Sequence, residues 1–307
     1  MKTGSIGMFL YSDALTGAEL TAAAQRAERL GFETLWYVEA LHHESFACGA
    51  HLCAATNTIE IGAGIANIYA RDPMASVQGA RSLHDFSDGR FIMGLGVSHQ
   101  GLVDDARGHT YQKPLTYMRE YLDRMDAARP ALPGNDSPLV LAALGPKMTE
   151  LAGTRSDGII PANCPVEHTR RSREILGPDK WICTMQHAVL CEDPARARAI
   201  GRHALRFYAE APNYYKNWFR YGFTEADLAD GLSDRLVDAL VAWGSVEDVR
   251  ERVQQHFDAG ATQVAINAIA ADDNQAPLTP SVHGVDLGYA CLPDWTLLEA
   301  LAPADAS

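Results

Sequence analysis

Two histidines and two carboxylates lie close together in the segment EALHHE, residues 39–44. Imidazole and carboxylate groups transfer protons near neutral pH, and both also bind metals. Adjacent histidines on an irregular segment lack the i, i+4 spacing of a helical metal site, so a hydrogen-bonding or acid–base role is favoured over a metal. A solvated loop is an equally good interpretation of any one of these residues. We predict no metal site and take Glu39, His42 and His43 as acid–base candidates.

Glycines interrupt two apolar stretches close to their ends. IEIGAGIAN, residues 59–67, starts with β-branched residues and then contains Gly62 and Gly64, while GLGVSH, residues 94–99, contains two more. A glycine inside a strand usually marks a bulge or a close approach by a ligand or another backbone. The Gly-x-Gly pair alone is a weak signal, because the third glycine of the dinucleotide motif is missing. We expect a ligand to approach the first stretch.

The segment LAALGPKMTELAG, residues 141–153, has the order strand, glycine, helix. Gly145 lets the backbone approach a ligand, Pro146 suits the first helical position, and Lys147 adds a positive charge to the positive end of the helix. Such a terminus suits phosphate. An ordinary strand-to-helix turn explains the local sequence equally well.

Eight short apolar runs alternate with amphipathic helical patterns along the chain. The strands and helices that they predict must position the candidate site residues. The runs cover residues 5–10, 33–38, 59–67, 91–96, 138–144, 157–162, 181–190 and 262–269. The helical patterns cover residues 16–31, about 45–55, 73–87, 114–127, 146–155, 166–176, 194–210 and 246–259. Continuous apolar runs are typical of strands that are buried on both faces, which implies parallel pairing with helical crossovers.

This alternation predicts an α/β fold, a (β/α)8 TIM barrel, with the site at the carboxyl ends of the strands. An open doubly wound sheet is the second possibility. We expect a single domain over residues 1–307 with an inserted cap at about 211–242, because that stretch is too long for a plain loop. Tyr214, Tyr215 and Trp218 in the cap form either an apolar lid or, preferably, a satellite packing cluster.

Composition excludes several classes of partner. The 307 residues are 47% hydrophobic and 21% charged, with a formal net charge of -13. Nucleic acids and anionic membranes require a basic surface, so we expect neither. No apolar run reaches the length of a membrane span, and the first residues do not resemble a secretory signal, so we expect a cytoplasmic protein. The six cysteines contain no Cys-x-x-Cys pair and are interpreted as reduced thiols.

Six segments, in order along the chain, resemble the luciferase-like monooxygenase superfamily and, within it, the coenzyme F420-dependent oxidoreductases. They are IANIYARDPMA, GRFIMGLGVSH, RGHTYQKPL, VLAALGPKM, APNYYKNWFRYGFTEADL and SDRLVDALVAWG. The similarity extends from about residue 5 to residue 269. It implies a TIM barrel, a homodimer and a deazaflavin bound at the strand ends with a small-molecule substrate.

The resemblance also implies roles for particular residues. Members of the superfamily commonly have a non-proline cis peptide in a bulge of the third strand, against the cofactor ring; here it would be Gly64–Ile65 or Ala63–Gly64. The residues implied to contact the cofactor are Gly64, Ile65, Ala66 and Asn67 at the ring, Gly96, Val97, Ser98 and His99 along the side chain, and Gly145, Pro146, Lys147 and Met148 at the phosphate.

One departure from the family pattern affects the chemistry. Relatives that oxidise sugar phosphates or alcohols carry an Asp-His pair after the second strand, where this chain has Glu39-Ala40. Reduction of an activated C=C, C=N or C=O bond is therefore favoured over alcohol oxidation, with Glu39, His42 or His43 as the catalytic proton-transfer group.

A flavin-dependent two-component monooxygenase that uses FMN is the alternative function, since it has the same barrel and phosphate cradle. F420 carries a lactyl-oligoglutamate extension that FMN lacks. A basic path made of Lys216, Arg220, Arg170 and Arg171 would favour F420. A cofactor-binding relative without catalysis is a third possibility with no positive sign in the sequence.

Overall fold

Eight parallel strands close into a barrel in the computed structural model, which describes residues 1–271, 281–282, 284–286, 288 and 290–303. All strands of the described residues, inside and outside the barrel, are β1 (Ser5–Leu10), β2 (Thr34–Tyr37), β3 (Glu60–Ala63), β4 (Ala66–Asn67), β5 (Phe91–Gly96), β6 (Leu139–Leu141), β7 (Gly158–Ile159), β8 (Trp181–Leu190), β9 (Val241–Gly244), β10 (Gln263–Ala268), β11 (Ser281–Val282) and β12 (Val285–Asp286). The barrel order is β1-β2-β3-β5-β6-β7-β8-β10, and β10 pairs with both β8 and β1.

The closed barrel confirms the predicted (β/α)8 fold and excludes the open sheet. Each of the eight apolar runs contains one barrel strand. Parallel strands inside a ring of helices are buried on both faces, which explains why the runs show no alternation of polar and apolar residues. In β2, for example, all four residues are buried.

Helices cover the outside of the barrel, and several of them begin at residues whose side chains cap the helix. They are α1 (Gly17–Arg29), α2 (Ser45–Ala55), α3 (Pro73–Phe86), α4 (Pro114–Ala128), α5 (Pro146–Arg155), α6 (Val166–Leu176), α7 (Pro194–Ala209), α8 (Pro212–Phe219), α9 (Glu225–Leu228), α10 (Asp234–Leu240), α11 (Val246–Asp258) and α12 (Trp295–Leu301). Thr16 and Glu19 form a capping box at the start of α1, as Ser245 and Asp248 do at α11.

A bulge separates β3 from β4. Gly62 is opposite Ile92 of β5, and Ala66 is opposite Leu95. Four steps along one strand therefore match three steps along its neighbour, so one extra residue is accommodated between them. The peptide bond between Gly64 and Ile65 lies within this bulge and is cis.

The glycines of β3, of the bulge and of the neighbouring strand β5 serve different purposes. A Cβ atom at Gly62 would overlap the indole ring of the buried Trp36, so this glycine makes room for a core side chain. A Cβ atom at Gly94 of β5 would overlap the carbonyl oxygen of Ala63, so a close approach of backbones requires that glycine. Only Gly64 of these three faces the cavity described below.

The segment predicted as a cap contains α8, α9 and α10 and ends in β9, which pairs with the end of β8. Trp218 is fully buried and its indole N–H donates to the carbonyl oxygen of Asn163, 2.8 Å away. Strand β9 was not predicted, because its four residues follow the helical pattern of α10 without a break.

Five of the six cysteines are buried, and Cys191 after β8 is partly exposed. Among the described residues, no helix combines the length and the apolar character needed to cross a membrane.

Candidate active site

A cavity of about 450 Å³ opens at the carboxyl ends of the barrel strands. Its walls come from the ends of β1, β2 and β5, the β3–β4 bulge, the turn from β6 into α5, and helices α7 and α8. The volume falls in the usual range for small-molecule and cofactor sites. The position agrees with the rule that TIM-barrel sites form where the strands end.

One wall of the cavity is the glycine-containing bulge. Gly64 and Ile65 line it directly, and a Cβ atom at Gly64 would lie 3.0 Å from Phe9 and 3.3 Å from Ile160. Gly96 lines the same wall, where a Cβ atom would lie 2.5 Å from Ile65. Bare backbone and flat apolar side chains thus form a surface that suits a planar ring.

Ala66 and Asn67 continue the chain after the bulge and are buried behind the wall, outside the cavity lining. The Asn67 N–H donates to Glu39 Oε2 at 2.7 Å, and the Asn67 side-chain oxygen accepts from the Tyr69 N–H at 2.9 Å. These two residues hold the bulge in place from behind, whereas Gly64 and Ile65 line the cavity directly.

Glu39 lines the cavity, but its carboxylate is fully used inside the protein. It forms a two-pronged ion pair with Arg71, and the exposed fractions of the two side chains are 2% and 7%. Glu39 Oε1 also accepts from the Ser45 N–H at 3.3 Å. Arg71 reaches Glu44 as well and stacks over Phe46 at 4.7 Å. The geometry favours a structural role for Glu39 over proton transfer.

His42 and His43 lie outside the cavity lining. Their backbone N–H groups and that of Leu41 donate to the buried carboxylate of Asp13, at 2.5–3.1 Å. His43 Nε2 lies 2.9 Å from the carbonyl oxygen of Leu15, and His42 Nδ1 lies 3.3 Å from that of Asp13. The structure therefore separates the three acid–base candidates, with only Glu39 facing the cavity.

The opposite end of the cavity is cationic. Gly145 is the N-cap of α5 and has no side-chain cap, and the guanidinium of Arg220 stands 3.7 Å from the place where its Cβ would be. Lys147 and Lys216 line the same cavity. None of these three cations forms an ion pair in the described part of the chain. An uncapped helix start with three free cations fits an anionic group such as phosphate.

Other residues implied to contact the cofactor divide between lining and support. Val97, Ser98, His99, Lys147 and Met148 line the cavity, whereas Pro146 does not. Of the predicted basic path, Arg170 pairs with Glu167 and Arg171 pairs with Glu174 on the exposed face of α6. Only Lys216 and Arg220 of that path therefore face the cavity.

His99 is the only histidine that lines the cavity in the described part of the chain. It stacks on Tyr214 at 5.6 Å and meets Phe207 edge-on at 5.2 Å. Burial lowers its pKa, while a hydrogen bond to Asn213 opposes this shift. Its Nδ1 atom is buried without a hydrogen-bond partner among the described residues.

Two tyrosines in the site were missed from the sequence. Tyr11 follows β1 and Tyr208 lies near the end of α7; both line the cavity, and their hydroxyl oxygens are 2.8 Å apart. Position after a barrel strand was an available signal for Tyr11. Nothing in the pattern of α7 distinguishes Tyr208 from an ordinary buried aromatic residue.

Polar residues of β8 lie deeper in the barrel. Gln186 donates to the carbonyl oxygens of His187 and Leu240, and its oxygen is 2.8 Å from His256 Nε2. It is thus committed to the protein interior and does not reach the cavity lining. The described residues contain no group of three or more His, Cys, Asp or Glu arranged to hold a metal ion.

A closed (β/α)8 barrel with a cavity at the strand ends is the architecture of barrel proteins that bind small molecules there. The chain belongs to the luciferase-like monooxygenase family, whose sequence model matches residues 5–263.

Relatives from both branches of the family resemble the chain. It is 27% identical to the 5,10-methylenetetrahydromethanopterin reductase of Methanolobus tindarius, over 78% of this chain and 87% of that protein. The solved coenzyme F420-dependent tetrahydromethanopterin reductase of Methanopyrus kandleri superposes with a TM-score of 0.70 at 17% identity, over 87% and 93% of the chains. The oxygenating component of 3,6-diketocamphane monooxygenase from Pseudomonas putida, solved with FMN, has a TM-score of 0.61 at 15% identity, over 87% and 91%.

Proposed function

We propose that this protein is an F420-dependent oxidoreductase that transfers a hydride between C5 of the deazaflavin and a small organic substrate. Reduction of an activated C=C, C=N or C=O bond is the favoured direction. The observation that carries the proposal is the trio Lys147, Lys216 and Arg220, which lines one end of the cavity without ion-pair partners in the described chain. A cofactor with a phosphate and further carboxylates would supply the missing counter-charges.

The residues present fit such a cofactor at both ends. The bare backbone at Gly64 and Gly96 offers a flat surface, and the Gly145 helix start with Arg220 offers donors for a phosphate. When bound, the reduced deazaflavin supplies a hydride. The protein holds the ring and the substrate in contact and excludes water, which is the task that proteins perform for redox cofactors.

The walls of the cavity contribute to this task in different ways. The ion pair of Glu39 and Arg71 fixes the bulge through the Asn67 N–H, so the ring surface is held rigidly. Helices α7 and α8 close the opposite side with aromatic residues such as Phe207 and Tyr214. Proton transfer from His42 or His43 stays a prediction. Their position outside the cavity lining disfavours it.

The alternative function is a flavin-dependent monooxygenase that receives reduced FMN from a partner. Its supporting observation is the solved FMN-containing relative of the same fold. The phosphate cradle serves either cofactor. The two cofactors differ beyond the phosphate, where Lys216 is available for the oligoglutamate of F420 and has no comparable role with FMN.

Titration of the purified protein with F420 and with FMN, followed by fluorescence, tests the proposal. We expect micromolar binding of F420 with at least tenfold weaker binding of FMN. Lys216→Gln should weaken binding of F420 more than that of FMN, whereas Arg171→Gln, on the exposed face of α6, serves as the control and should change neither. Tight binding of FMN without binding of F420 would replace the proposal by the alternative.

Three further predictions belong to this proposal. We expect a homodimer, measurable by light scattering, a single-domain chain that unfolds in one transition, and a cytoplasmic location. We also expect no binding to nucleic acids or to membranes, because the net charge is -13.

A further inference from the structure

A buried pair of hydroxyl groups lies where the cavity meets the barrel interior. The oxygens of Tyr11 and Tyr208 are 2.8 Å apart, and both residues line the cavity although their exposed fractions are only 2% and 8%. The pair joins the end of β1 to the end of α7 across 197 positions of sequence. Tyrosine hydroxyls that are this buried normally serve a specific hydrogen-bonding purpose.

Tyr208 retains a hydrogen that it can donate to a ligand. Burial raises the pKa of Tyr208 to about 12 and that of Tyr11 well above its usual value, so both groups are protonated at neutral pH. Either hydroxyl can donate in their mutual hydrogen bond, and Tyr11, the more deeply buried of the two, can donate to the oxygen of Tyr208. The hydrogen of Tyr208 is then not needed for this bond.

Two further polar groups beside the pair, the amide nitrogen and oxygen of Asn163, have no hydrogen-bond partner among the described residues. The Asn163 side chain is buried and approaches the hydroxyls of Tyr208 and Tyr214, yet its amide atoms complete no hydrogen bond of ordinary geometry among the described residues. Asn163 is held rigidly, because its backbone has a φ of 54° and its carbonyl oxygen accepts from Trp218. Buried amides without partners are rare in proteins, so the site is built to receive another polar atom.

His187 completes the cluster from below. Its ring lies 6.4 Å from that of Tyr11 and 6.5 Å from that of Tyr208. The side-chain nitrogen of Asn267 donates to the carbonyl oxygen of Phe9, so the side-chain oxygen of Asn267 is the atom that lies 2.8 Å from His187 Nδ1. Because that oxygen can only accept, His187 Nδ1 carries the hydrogen. His187 Nε2 is then an acceptor, and it has no hydrogen-bond partner in the described chain.

The described residues in this part of the cavity carry no net charge. Tyr11, Phe207, Tyr208 and Tyr214 are neutral, and burial lowers the pKa of His187 to about 4, so that His187 is also neutral at pH 7. Among the described residues, the cations that line the cavity are Lys147 on α5, Lys216 on α8 and Arg220 directly after α8. The described carboxylate in the lining, Glu39, is paired with Arg71. A substrate bound here would gain hydrogen bonds and apolar contacts, but no ion pair.

We infer that the Tyr11–Tyr208 pair, with Asn163 beside it, binds the carbonyl oxygen of an uncharged conjugated ketone or aldehyde, with Tyr208 as the donor. This inference rests on the proposed function. When bound, a reduced deazaflavin would supply a hydride to a carbon of the conjugated system, and the electron pair of the C=C or C=O bond would move onto the oxygen. The Tyr208 hydroxyl stabilises that negative charge, and a proton from solvent completes the reduction.

The test uses the full chain, reduced F420 and cyclohex-2-enone as an uncharged probe. Tyr208→Phe removes one oxygen atom with little change of shape, and we expect it to lower kcat/KM about 100-fold, in the range seen on loss of an oxyanion donor. Tyr11→Phe should have a smaller effect of about tenfold, because it acts through Tyr208. Tyr215→Phe is the matched control on α8, outside the cavity lining, and should leave the rate unchanged.

An infrared spectrum of the enone bound to the oxidised complex separates a direct role from a structural one. The carbonyl band should move to lower wavenumber in the wild type and return towards its free position in Tyr208→Phe. An unshifted band in the wild type, an unchanged rate in Tyr208→Phe, or faster reduction of a carboxylate-bearing enone would overturn the inference. Prior titration with F420 keeps the two proposals apart, since failure to bind F420 contradicts the proposed function alone.

Discussion

The carboxylate of Glu39 and the guanidinium of Arg71 form a buried two-pronged ion pair between residues 32 positions apart in sequence. The pair connects the end of β2 to the chain that follows the bulge, and Arg71 Nη1 also donates to the Asn67 carbonyl oxygen at 3.1 Å. Both charges are almost completely removed from water. The wall that faces the proposed cofactor ring therefore depends on two buried charges of opposite sign that compensate each other.

Arg71→Met should destabilise the protein by about 3 to 5 kcal/mol, because it leaves the Glu39 carboxylate buried without its partner. Chemical denaturation measures the change in the free energy of unfolding. Arg170→Met is the control, since Arg170 and Glu167 are both more than half exposed and such pairs contribute less than about 1 kcal/mol. Equal effects of the two substitutions would show that the buried pair contributes no more than an exposed one.

Gly64→Ala should weaken cofactor binding at least tenfold. The added methyl group would lie 3.0 Å from Phe9 and 3.3 Å from Ile160, so it would displace one of them or protrude from the wall that faces the ring. Gly17→Ala, where the nearest atom to an added Cβ is 4.0 Å away, is the control for a general effect of the exchange. Fluorescence titration with F420 measures both, and unchanged binding in Gly64→Ala would place the ring elsewhere.

Arg220→Gln should raise the Kd for the phosphate-bearing cofactor about tenfold and make binding less dependent on salt. The reason is that the guanidinium faces Gly145 at the start of α5 and pairs with no carboxylate in the described chain. Titrations at low and high ionic strength measure both effects. Arg170→Gln, on the exposed face of α6, should leave the Kd and its salt dependence as they are; a similar loss in both variants would indicate a general field effect.

Acid should destabilise the protein from about pH 6.5 downwards. Burial lowers the pKa values of His168 and His187 to about 4 and that of His256 to about 3. The unfolded chain then binds protons before the folded chain does, so stability is complete above about pH 6.5 and falls towards pH 4. At about pH 5.5 each of these three histidines lowers the free energy of unfolding by about 1.4 kcal/mol. Urea denaturation at about pH 7.5 and 5.5 measures the difference.

The control for this pH dependence is His256→Gln. It should be less stable than the wild type at either pH, with a smaller difference between the two. Carboxylates do not account for the same window, because Glu28 and Asp227 have pKa values lowered to about 2 and lose their stabilising effect only below about pH 4.5. Equal stability of the wild type at both pH values would contradict the prediction.

The barrel could be predicted because its strands and helices are signalled locally. The uninterrupted apolar run of β5 and the capping box of α1 are properties of a few adjacent residues. The start of α5 at Pro146, with Gly145 before it and Lys147 in its first turn, could be predicted for the same reason. Strand β9 was missed because its partner β8 decides its conformation and its own pattern does not.

The roles of individual side chains depended on contacts that local sequence does not contain. His42 and His43 look like acid–base groups until Asp13, 29 or 30 residues away, is seen to bind their backbone. Glu39 looks equally available until Arg71 is placed beside it. Tyr208 meets Tyr11 only in the folded chain, because the two residues are 197 positions apart in sequence. Burial and long-range partners, which change the chemistry of each group, are fixed by the tertiary fold.

The single partly exposed thiol gives the molecule a natural point of attachment. A maleimide dye added to the native protein should react at Cys191 and spare the five interior sulfurs. Cys191 follows β8 directly and shortly precedes α7, the helix that carries Tyr208. Spectroscopic labelling of the wild-type chain would therefore place a reporter next to the start of α7, the helix whose last turn lines the cavity, without any engineering of the sequence.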